Sequence, residues 1–363
     1  MTGVHQPYVS VVTPVYNGEK YLAECIESVL NQTYSNFEYL IVNNCSKDRT
    51  LEVAQNYAKK DSRIRVHDNT EFFDVIANHN HAFRLISPSA KYLKVVSGDD
   101  FIFPDCLKQM VEFAEMHPSV GIVGSYQQSG DKVRWQGFRY PKVVMPGQEL
   151  SRQMFLDSDQ DFGFGTPTSI LYRADIVKSY REFYPNPSPH SDTSACFMAL
   201  QSCDFGFIYQ VLSGERTHEE TQSSRSAKMN RYSSAHLNDL LVYGPVFLSK
   251  EEFQSTLKRW LERYHRFLAV HYFRRSQDQE FWLYHRSRLA ELGFPLKRSQ
   301  LVKALLALIW NEIRNPEHAI RKLRKPRPNM ETHSKSAENE PPNKRSIDPK
   351  TTHVNGIQRE GES

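Results

Sequence analysis

Along the first third of the chain, the hydrophobic positions switch repeatedly between a strand period and a helix period. Residues 8–13 (YVSVVT) form a short β-branched run that stops at Pro14, which predicts a strand. Over 19–31, Leu22, Ile26, Val29 and Leu30 recur at helical spacing. Residues 37–42 (FEYLIV) predict a second, buried strand, and Leu51, Val53, Ala54 and Tyr57 begin another amphipathic helix. Short strands at 64–66 and 92–96 flank a helix at 75–86, and a helix at 105–117 leads into a strand-like 120–123. Strands alternating with helices of this length imply an α/β fold with a mostly parallel sheet covered on both faces.

The pattern is less regular from 126 to 248. Residues 168–172 and 205–209 read as strands, 192–201 as a helix, and 213–226 is polar. From Ser249 the chain turns helical. Ser249 and Glu252 fit a capping box, and Phe253, Leu257, Trp260, Leu261, Tyr264, Phe267 and Leu268 follow at helical period. Further helices are expected near 281–292 and 301–313. Residues 326–363 contain no Phe, Trp or Tyr and are rich in Pro, Ser, Asn, Lys and Glu, which predicts a disordered tail. The expected organisation is therefore 1–125, 126–248, a basic helical region 249–325 and a tail 326–363.

Composition narrows the class. With 39% hydrophobic and 12% aromatic residues in 363, the chain can bury a core, which excludes wholesale disorder. Its mean hydropathy of −0.59 and the lack of a long apolar run exclude a membrane-spanning helix. Residues 1–8 show no secretory signal pattern. The five scattered cysteines (Cys25, Cys45, Cys106, Cys196, Cys203) have no metal-ligand spacing and fit a reducing, cytoplasmic setting. The net charge of +4 hides an asymmetry: residues 249–327 carry 18 Lys/Arg against 8 Asp/Glu, and residues 1–248 carry 23 against 28. No nucleic-acid motif accompanies the basic segment.

In an open parallel sheet, ligands sit at the carboxyl ends of strands. There the chain places Thr13-Pro14-Val15-Tyr16-Asn17-Gly18, then Asn43-Asn44-Cys45-Ser46-Lys47-Asp48, then Ser97-Gly98-Asp99-Asp100. The absence of GxGxxG and GxxxxGK[ST] disfavours a dehydrogenase or a P-loop NTPase. Two adjacent carboxylates at the end of a buried strand repel each other unless a hard cation such as Mg²⁺ or Mn²⁺ neutralises them, though the pair can also serve as a helix cap. Asp48 reads as the cap of the helix that follows it. Asp192, opening an apolar helix, is an N-cap candidate, and Gly163–Thr168 (GFGTPT) reads as a tight loop punctuated by Gly and Pro.

The blocks PYVSVVTPVYNGEKYLAECIESVLNQTY, FEYLIVNNCSKDRT and KYLKVVSGDDFIFPDCL resemble the family 2 glycosyltransferases of the GT-A fold over about the first 125 residues. The likeness continues more loosely through FGTPTSILYRADIV, HSDTSACF and GERTH to about residue 226. The resemblance implies a Rossmann-like, mostly parallel sheet flanked by helices and followed by a C-terminal helical region. It implies a metal-dependent, inverting transfer of a sugar from a nucleotide-diphospho-sugar to a glycan or lipid-linked acceptor in cell-surface polysaccharide synthesis. Thr13, Pro14 and Tyr16 would line the nucleotide pocket, with the Tyr16 ring against the base. Asn44 would read the base edge, while Asn43 stands where an acid is usual. Asn80, with Asn78, would flank the nucleotide, and Asp99 would reach the ribose or a metal-bound water. Asp100 and His218 would ligate Mn²⁺ or Mg²⁺, with Ser97 replacing the usual first acid of the motif. Asp192 would be the catalytic base, and Arg216 would face the diphosphate.

Two other readings compete. A nucleotidyltransferase needs Lys or Arg in the TPVYNG loop to hold a triphosphate, and none is there. A catalytically inactive, glycosyltransferase-like sugar-nucleotide-binding or scaffold protein is favoured by Ser97 and Asn43 and opposed by Asp99, Asp100, Asp192 and His218. Finally, Leu301, Leu305, Leu308, Ile309 and Trp310 form an apolar helix side, followed by Arg314, Arg321, Lys322, Arg324, Lys325 and Arg327. That combination predicts peripheral contact with the anionic inner face of the plasma membrane.

Overall fold

The computed structural model describes residues 6–157, 163–185, 190–216, 226 and 229–314. In chain order the elements are β1 (Val9–Val15), α1 (Leu22–Leu30), β2 (Phe37–Asn43), α2 (Thr50–Ala58), β3 (Ile64–Asp68), α3 (Val75–Arg84), β4 (Tyr92–Val95), β5 (Phe101–Ile102), α4 (Cys106–Met116), β6 (Val120–Ser129), β7 (Lys132–Arg134), β8 (Val144–Met145) and α5 (Gly147–Leu156). A 3₁₀ turn at Pro167–Ser169 leads to β9 (Ile170–Arg173), α6 (Ala174–Lys178), α7 (Ser191–Ala199) and β10 (Asp204–Glu215). Four helices end the described chain: α8 (Arg231–Phe247), α9 (Lys250–Arg274), α10 (Gln279–Glu291) and α11 (Arg298–Arg314).

The strands form one mixed, mostly parallel sheet in the order β3-β2-β1-β4-β9-β6-β10-β5, with β7 on β6 and β8 on β10. β3, β2, β1 and β4 run parallel. β9 is antiparallel to both β4 and β6, and so joins a second parallel pair, β6 and β10, to the first half. The expected division at 125/126 falls inside β6, because one sheet runs through both halves. The division at 248/249 falls where Ser249 caps α9: its Oγ accepts from the Glu252 N–H at 3.2 Å while Glu252 accepts from the Ser249 N–H at 3.0 Å.

Successive residues of the central strands serve opposite faces. Val11, Tyr39 and Ile41 pack with Leu22, Ile26 and Met110 from α1 and α4. Val12, Leu40 and Val42 pack with Phe83 of α3 and Phe197 of α7. Both faces are therefore dry, which is why the sequence shows continuous apolar runs there. A third cluster, around Leu237, Tyr264, Phe281, Leu289 and Leu301, holds α8 to α11 together. α8 belongs to two clusters at once, since Leu240, Tyr243 and Phe247 pack toward the sheet.

The apolar side expected on α11 is divided. Leu301, Leu305 and Leu308 pack into the helical cluster, whereas Val302, Leu306, Ile309 and Trp310 are exposed. The chain falls into two compact units, 1–308 and 309–363. Of the second, only 309–314 is described, so the expected tail 326–363 lies outside the described residues. Among those residues, no helix is long and apolar enough to cross a membrane.

Candidate active site

The loops after β1 and β2 are stitched together by side chains. Asn17 has a left-handed backbone (φ 51°), which Asn tolerates better than most residues, and its Oδ1 accepts from the Lys47 N–H at 2.8 Å. The Gly18 N–H donates to Thr50 Oγ1 at 2.7 Å. Asp48 accepts from the Glu19 N–H at 3.1 Å and from the Thr50 N–H at 3.0 Å, so it closes the start of α2 and ties it to the first loop. On this frame Tyr16 is exposed and meets Phe72 edge-on, with ring centroids 5.0 Å apart. Pro14 lies inside β1 opposite Val42. Thr13 is fully buried; its hydroxyl donates to the Val96 carbonyl at 2.8 Å and lies 2.9 Å from the Tyr39 hydroxyl. Its side chain thus fastens β1 to its neighbours rather than facing a pocket.

Two amides expected at the nucleotide are committed to the main chain. Asn44 is buried; its Nδ2 donates to the Phe73 carbonyl at 2.8 Å, and its Oδ1 accepts from the Phe73 N–H at 3.0 Å and from Asn69 Nδ2 at 3.1 Å. It fixes the segment that presents Phe72 to Tyr16. Asn69 Nδ2 also donates to Asn78 Oδ1 at 2.9 Å. Asn80 is buried and clasps Tyr184, donating to its carbonyl and accepting from its N–H, both at 2.9 Å. Asn43 donates to Asp68 Oδ1 at 2.7 Å, so a neighbouring strand supplies a carboxylate close to the position where an acid was expected.

The Asp99-Asp100 pair follows β4, where Gly98 lets the chain pass close to β1: a Cβ there would sit 2.9 Å from Val15 Cγ2. Asp100 is only 6% exposed. Its carboxylate accepts from the Thr168 hydroxyl at 2.6 Å and from the Arg216 N–H at 3.3 Å. Burial, reinforced by the Asp99 charge, pushes its pKa up to about 7. Thr168 also accepts from the Ser97 N–H at 3.1 Å. Beneath it, fully buried Lys94 donates to the carbonyls of Thr168 at 2.6 Å and Ile170 at 3.2 Å, and burial holds its pKa below the ordinary lysine value.

Arg216, at the end of β10, folds back onto this pair. Its Nη1 donates to the Asp99 carbonyl at 2.8 Å, it pairs with Glu24, and its guanidinium lies 5.2 Å from the ring centroids of Tyr21 and Phe101. Tyr21, Phe101, Gln128, Gly130, Glu215 and Arg216 line an open cleft. His218 lies outside the described residues. Asp192 sits in the first turn of α7, where its Oδ1 accepts from the Thr193 N–H at 2.8 Å. Burial pushes its carboxyl up to about 6, and the Asp239 charge acts in the same direction.

Residues 10–181 match the sequence model of Glycosyl transferase family 2. The chain carries a family 2 glycosyltransferase domain. It is 37% identical over 143 residues to the putative glycosyltransferase EpsE of Bacillus subtilis (strain 168), covering 39% of this chain and 51% of EpsE. It is 35% identical over 108 residues to the putative teichuronic acid biosynthesis glycosyltransferase TuaG of the same organism, covering 30% of this chain and 42% of TuaG. The chain thus spans about half, or less, of the length of these curated relatives. Among solved structures, S. aureus TarS 1–349 in complex with UDP-GlcNAc aligns with a TM-score of 0.56 at 17% identity, over 79% of this chain and 80% of that one. The mannosyltransferase PcManGT from Pyrobaculum calidifontis, in complex with GDP-Man and Mn²⁺, aligns with a TM-score of 0.50 at 13% identity, over 85% and 89%. At these identities the likeness is one of fold.

Several parts of the family 2 domain's site escape a reading of the sequence alone. Thr168 looks like a turn residue, yet it is the hydroxyl that holds Asp100. Lys94 interrupts an apolar strand run, and that interruption is the one signal that a buried cation was needed there. Tyr21 and Glu24, on and before the first turn of α1, form the cradle of Arg216 and carry no motif.

Proposed function

We propose that this chain transfers a glycosyl residue, with inversion, from a nucleotide-diphospho-sugar to a glycan or lipid-linked acceptor in cell-surface polysaccharide synthesis. The observation that carries the reading is the buried Asp100 carboxylate beside Asp99, with Arg216 folded onto the same pair at the carboxyl end of the family 2 sheet. The bound donors of TarS and PcManGT, UDP-GlcNAc and GDP-Man, support the donor class, and the printed role of TuaG supports the acceptor class.

The residues fit a hard divalent ion. Asp100 offers an oxygen ligand whose charge burial disfavours until a cation arrives, and Asp99 adds a second carboxylate. Asp100 and His218 would hold Mn²⁺ or Mg²⁺, with Asp99 reaching the ribose or a water on the ion; when bound, the ion neutralises charge on the departing diphosphate. Arg216 presents a guanidinium fork to the same diphosphate. Tyr16, backed by Phe72, gives the base an aromatic surface. Asn44 and Asn80 act through the segments they hold. Asp192 takes the proton of the acceptor hydroxyl, and its raised pKa brings its basicity closer to neutral pH. A single displacement at the anomeric carbon then inverts configuration. The exposed residues of α11 and the basic residues near them support peripheral attachment to the inner face of a membrane.

The test is a panel of nucleotide-sugars with Mn²⁺ or Mg²⁺, reading metal-dependent hydrolysis or transfer and the anomer of the product. A chelator should abolish turnover, and Asp100→Ala should be folded but inactive. If no nucleotide-sugar is turned over but one still binds, the inactive scaffold reading is the correct one.

A further inference from the structure

A second group of ligating side chains lies beside Asp192. His190 immediately precedes α7, and His236 and Asp239 share one side of α8 at an i, i+3 spacing. One ligand atom from each of the three lies within 4.8 Å of the others. His190 Nδ1 is 3.8 Å from Asp239 Oδ2, and the His190 and His236 rings meet edge to face with centroids 4.1 Å apart. Asp239 is only 1% exposed. Its Oδ1 accepts from the Ser194 hydroxyl at 2.5 Å, while its Oδ2 has no hydrogen-bond partner among the described residues. A buried carboxylate oxygen left in this way is costly, and 3.8 Å is too long for a hydrogen bond from His190 to remove that cost.

We propose that His190, His236 and Asp239 bind a divalent transition ion of the Zn²⁺ class, at a site separate from the donor metal. Two imidazoles and one carboxylate are a ligand set that Zn²⁺ prefers and that Mg²⁺ does not. Three atoms no more than 4.8 Å apart share a point within about 2.8 Å of each, against the 2.0–2.2 Å of Zn–N and Zn–O bonds, so each ligand closes by about 0.6–0.8 Å at most. His190 is ready for this: burial lowers its pKa to about 4, so its ring is neutral at neutral pH. The His236 residue keeps part of its surface open to solvent, while its ring lies against His190 and Trp260. The ion ties the turn carrying Asp192 to α8, which is locked into the sheet core on the same side through Leu240 and Phe247. Its role is to position the base loop, and the binding claim does not depend on the glycosyltransfer reading.

The experiment uses the full chain carrying Asp100→Ala, which removes the donor-metal carboxylate, stripped with a chelator and then given Zn²⁺ or Co²⁺ alone. One equivalent of Zn²⁺ should remain after desalting, Co²⁺ should give the visible absorption of a low-coordinate nitrogen–oxygen site, and the melting temperature should rise. Adding His236→Ala, which also gives up the ring's stacking on Trp260 and so is compared only after circular dichroism shows a wild-type fold, should weaken Zn²⁺ by more than about 100-fold, beyond what loss of an outer-shell partner does. If the Asp100→Ala chain takes up no stoichiometric Zn²⁺, or if the His236→Ala addition binds it as tightly, the site does not exist.

Discussion

Thr168→Val tests whether the acidic pair is held by the turn before β9. Valine keeps the shape of threonine and removes one oxygen. That oxygen donates to Asp100 at 2.6 Å and accepts from the Ser97 N–H at 3.1 Å, in a residue with no exposure. A hydrogen bond to a charged group contributes about 1.5–3 kcal/mol, and an orphaned buried N–H costs about 1–3 kcal/mol. The sum is trimmed because Asp100 can escape by taking up a proton, so the expected loss is about 2–4 kcal/mol at pH 8. The Thr168 bond is also one of the contacts that lower the Asp100 pKa, so its removal drives the pKa further above about 7. Below that range both proteins carry a neutral Asp100 and the difference shrinks; above it both carry the charge and the difference is full. Urea unfolding in chelator at pH 5.5 and pH 8 measures this directly. Thr168→Ser keeps the hydroxyl and loses one methyl, so it should cost only about 1 kcal/mol. A valine variant within about 0.5 kcal/mol of wild type at pH 8, or a serine variant as damaged as the valine one, would refute the role given to this hydroxyl.

Asp100→Asn removes a carboxylate whose pKa folding raises from 3.8 to about 7, so in metal-free buffer the variant should be more stable than wild type above pH 7. That advantage should fade as pH falls from 7 and be gone only below 3.8, where both states of the wild type are protonated; parallel stability curves across that range would show that the carboxylate is not held in a dry site. Asp192→Asn keeps an acceptor for the Thr193 N–H and removes basicity, so turnover should drop by roughly 10²–10⁴ with donor affinity retained. Wild-type activity should fall as pH drops below about 6, where Asp192 becomes protonated, and wild-type turnover in the variant would leave Asp192 as a helix-turn residue only.

The parallel half of the sheet is legible because each strand is buried on both faces and each intervening helix shows one clear stripe. β5, β7 and β8 span two or three residues and exist only through their partners in β10 and β6, so no local pattern announces them. α8 is hidden for a different reason. Leu237 faces one cluster while Leu240, Tyr243 and Phe247 face another, which blurs the single stripe that periodicity detects. At the site, the place of Asp99-Asp100 follows from the strand that precedes the pair, whereas Arg216 is expected near it only through the family resemblance. The asparagines are harder: an amide that reads a ligand and an amide that clasps a main chain look identical in sequence, and only the bonds to Phe73 and Tyr184 separate them.

The division of α11 changes how membrane attachment has to be tested. Cutting the chain after Gln300 would remove Leu301, which is 8% exposed, together with Leu305 and Leu308, and so would strip the cluster that holds α8 to α10. Loss of vesicle binding in such a truncation would report damage rather than attachment. The informative positions are Val302, Leu306 and Trp310, spaced four residues apart and 54%, 61% and 58% exposed. Replacing all three by Ser leaves the packed side of the helix untouched, so the unfolding midpoint should not fall. If this stripe enters the interface of anionic vesicles, partial burial of three large apolar side chains contributes at least about 3 kcal/mol, and the variant should bind more than about 100-fold more weakly. Lys303 and Arg314 on the same helix add about 1 kcal/mol each at low salt, an increment that high salt should erase in both proteins. Wild-type protein that ignores anionic vesicles at low salt, or a triple variant that binds them unchanged, would return this stripe to ordinary solvent-exposed surface.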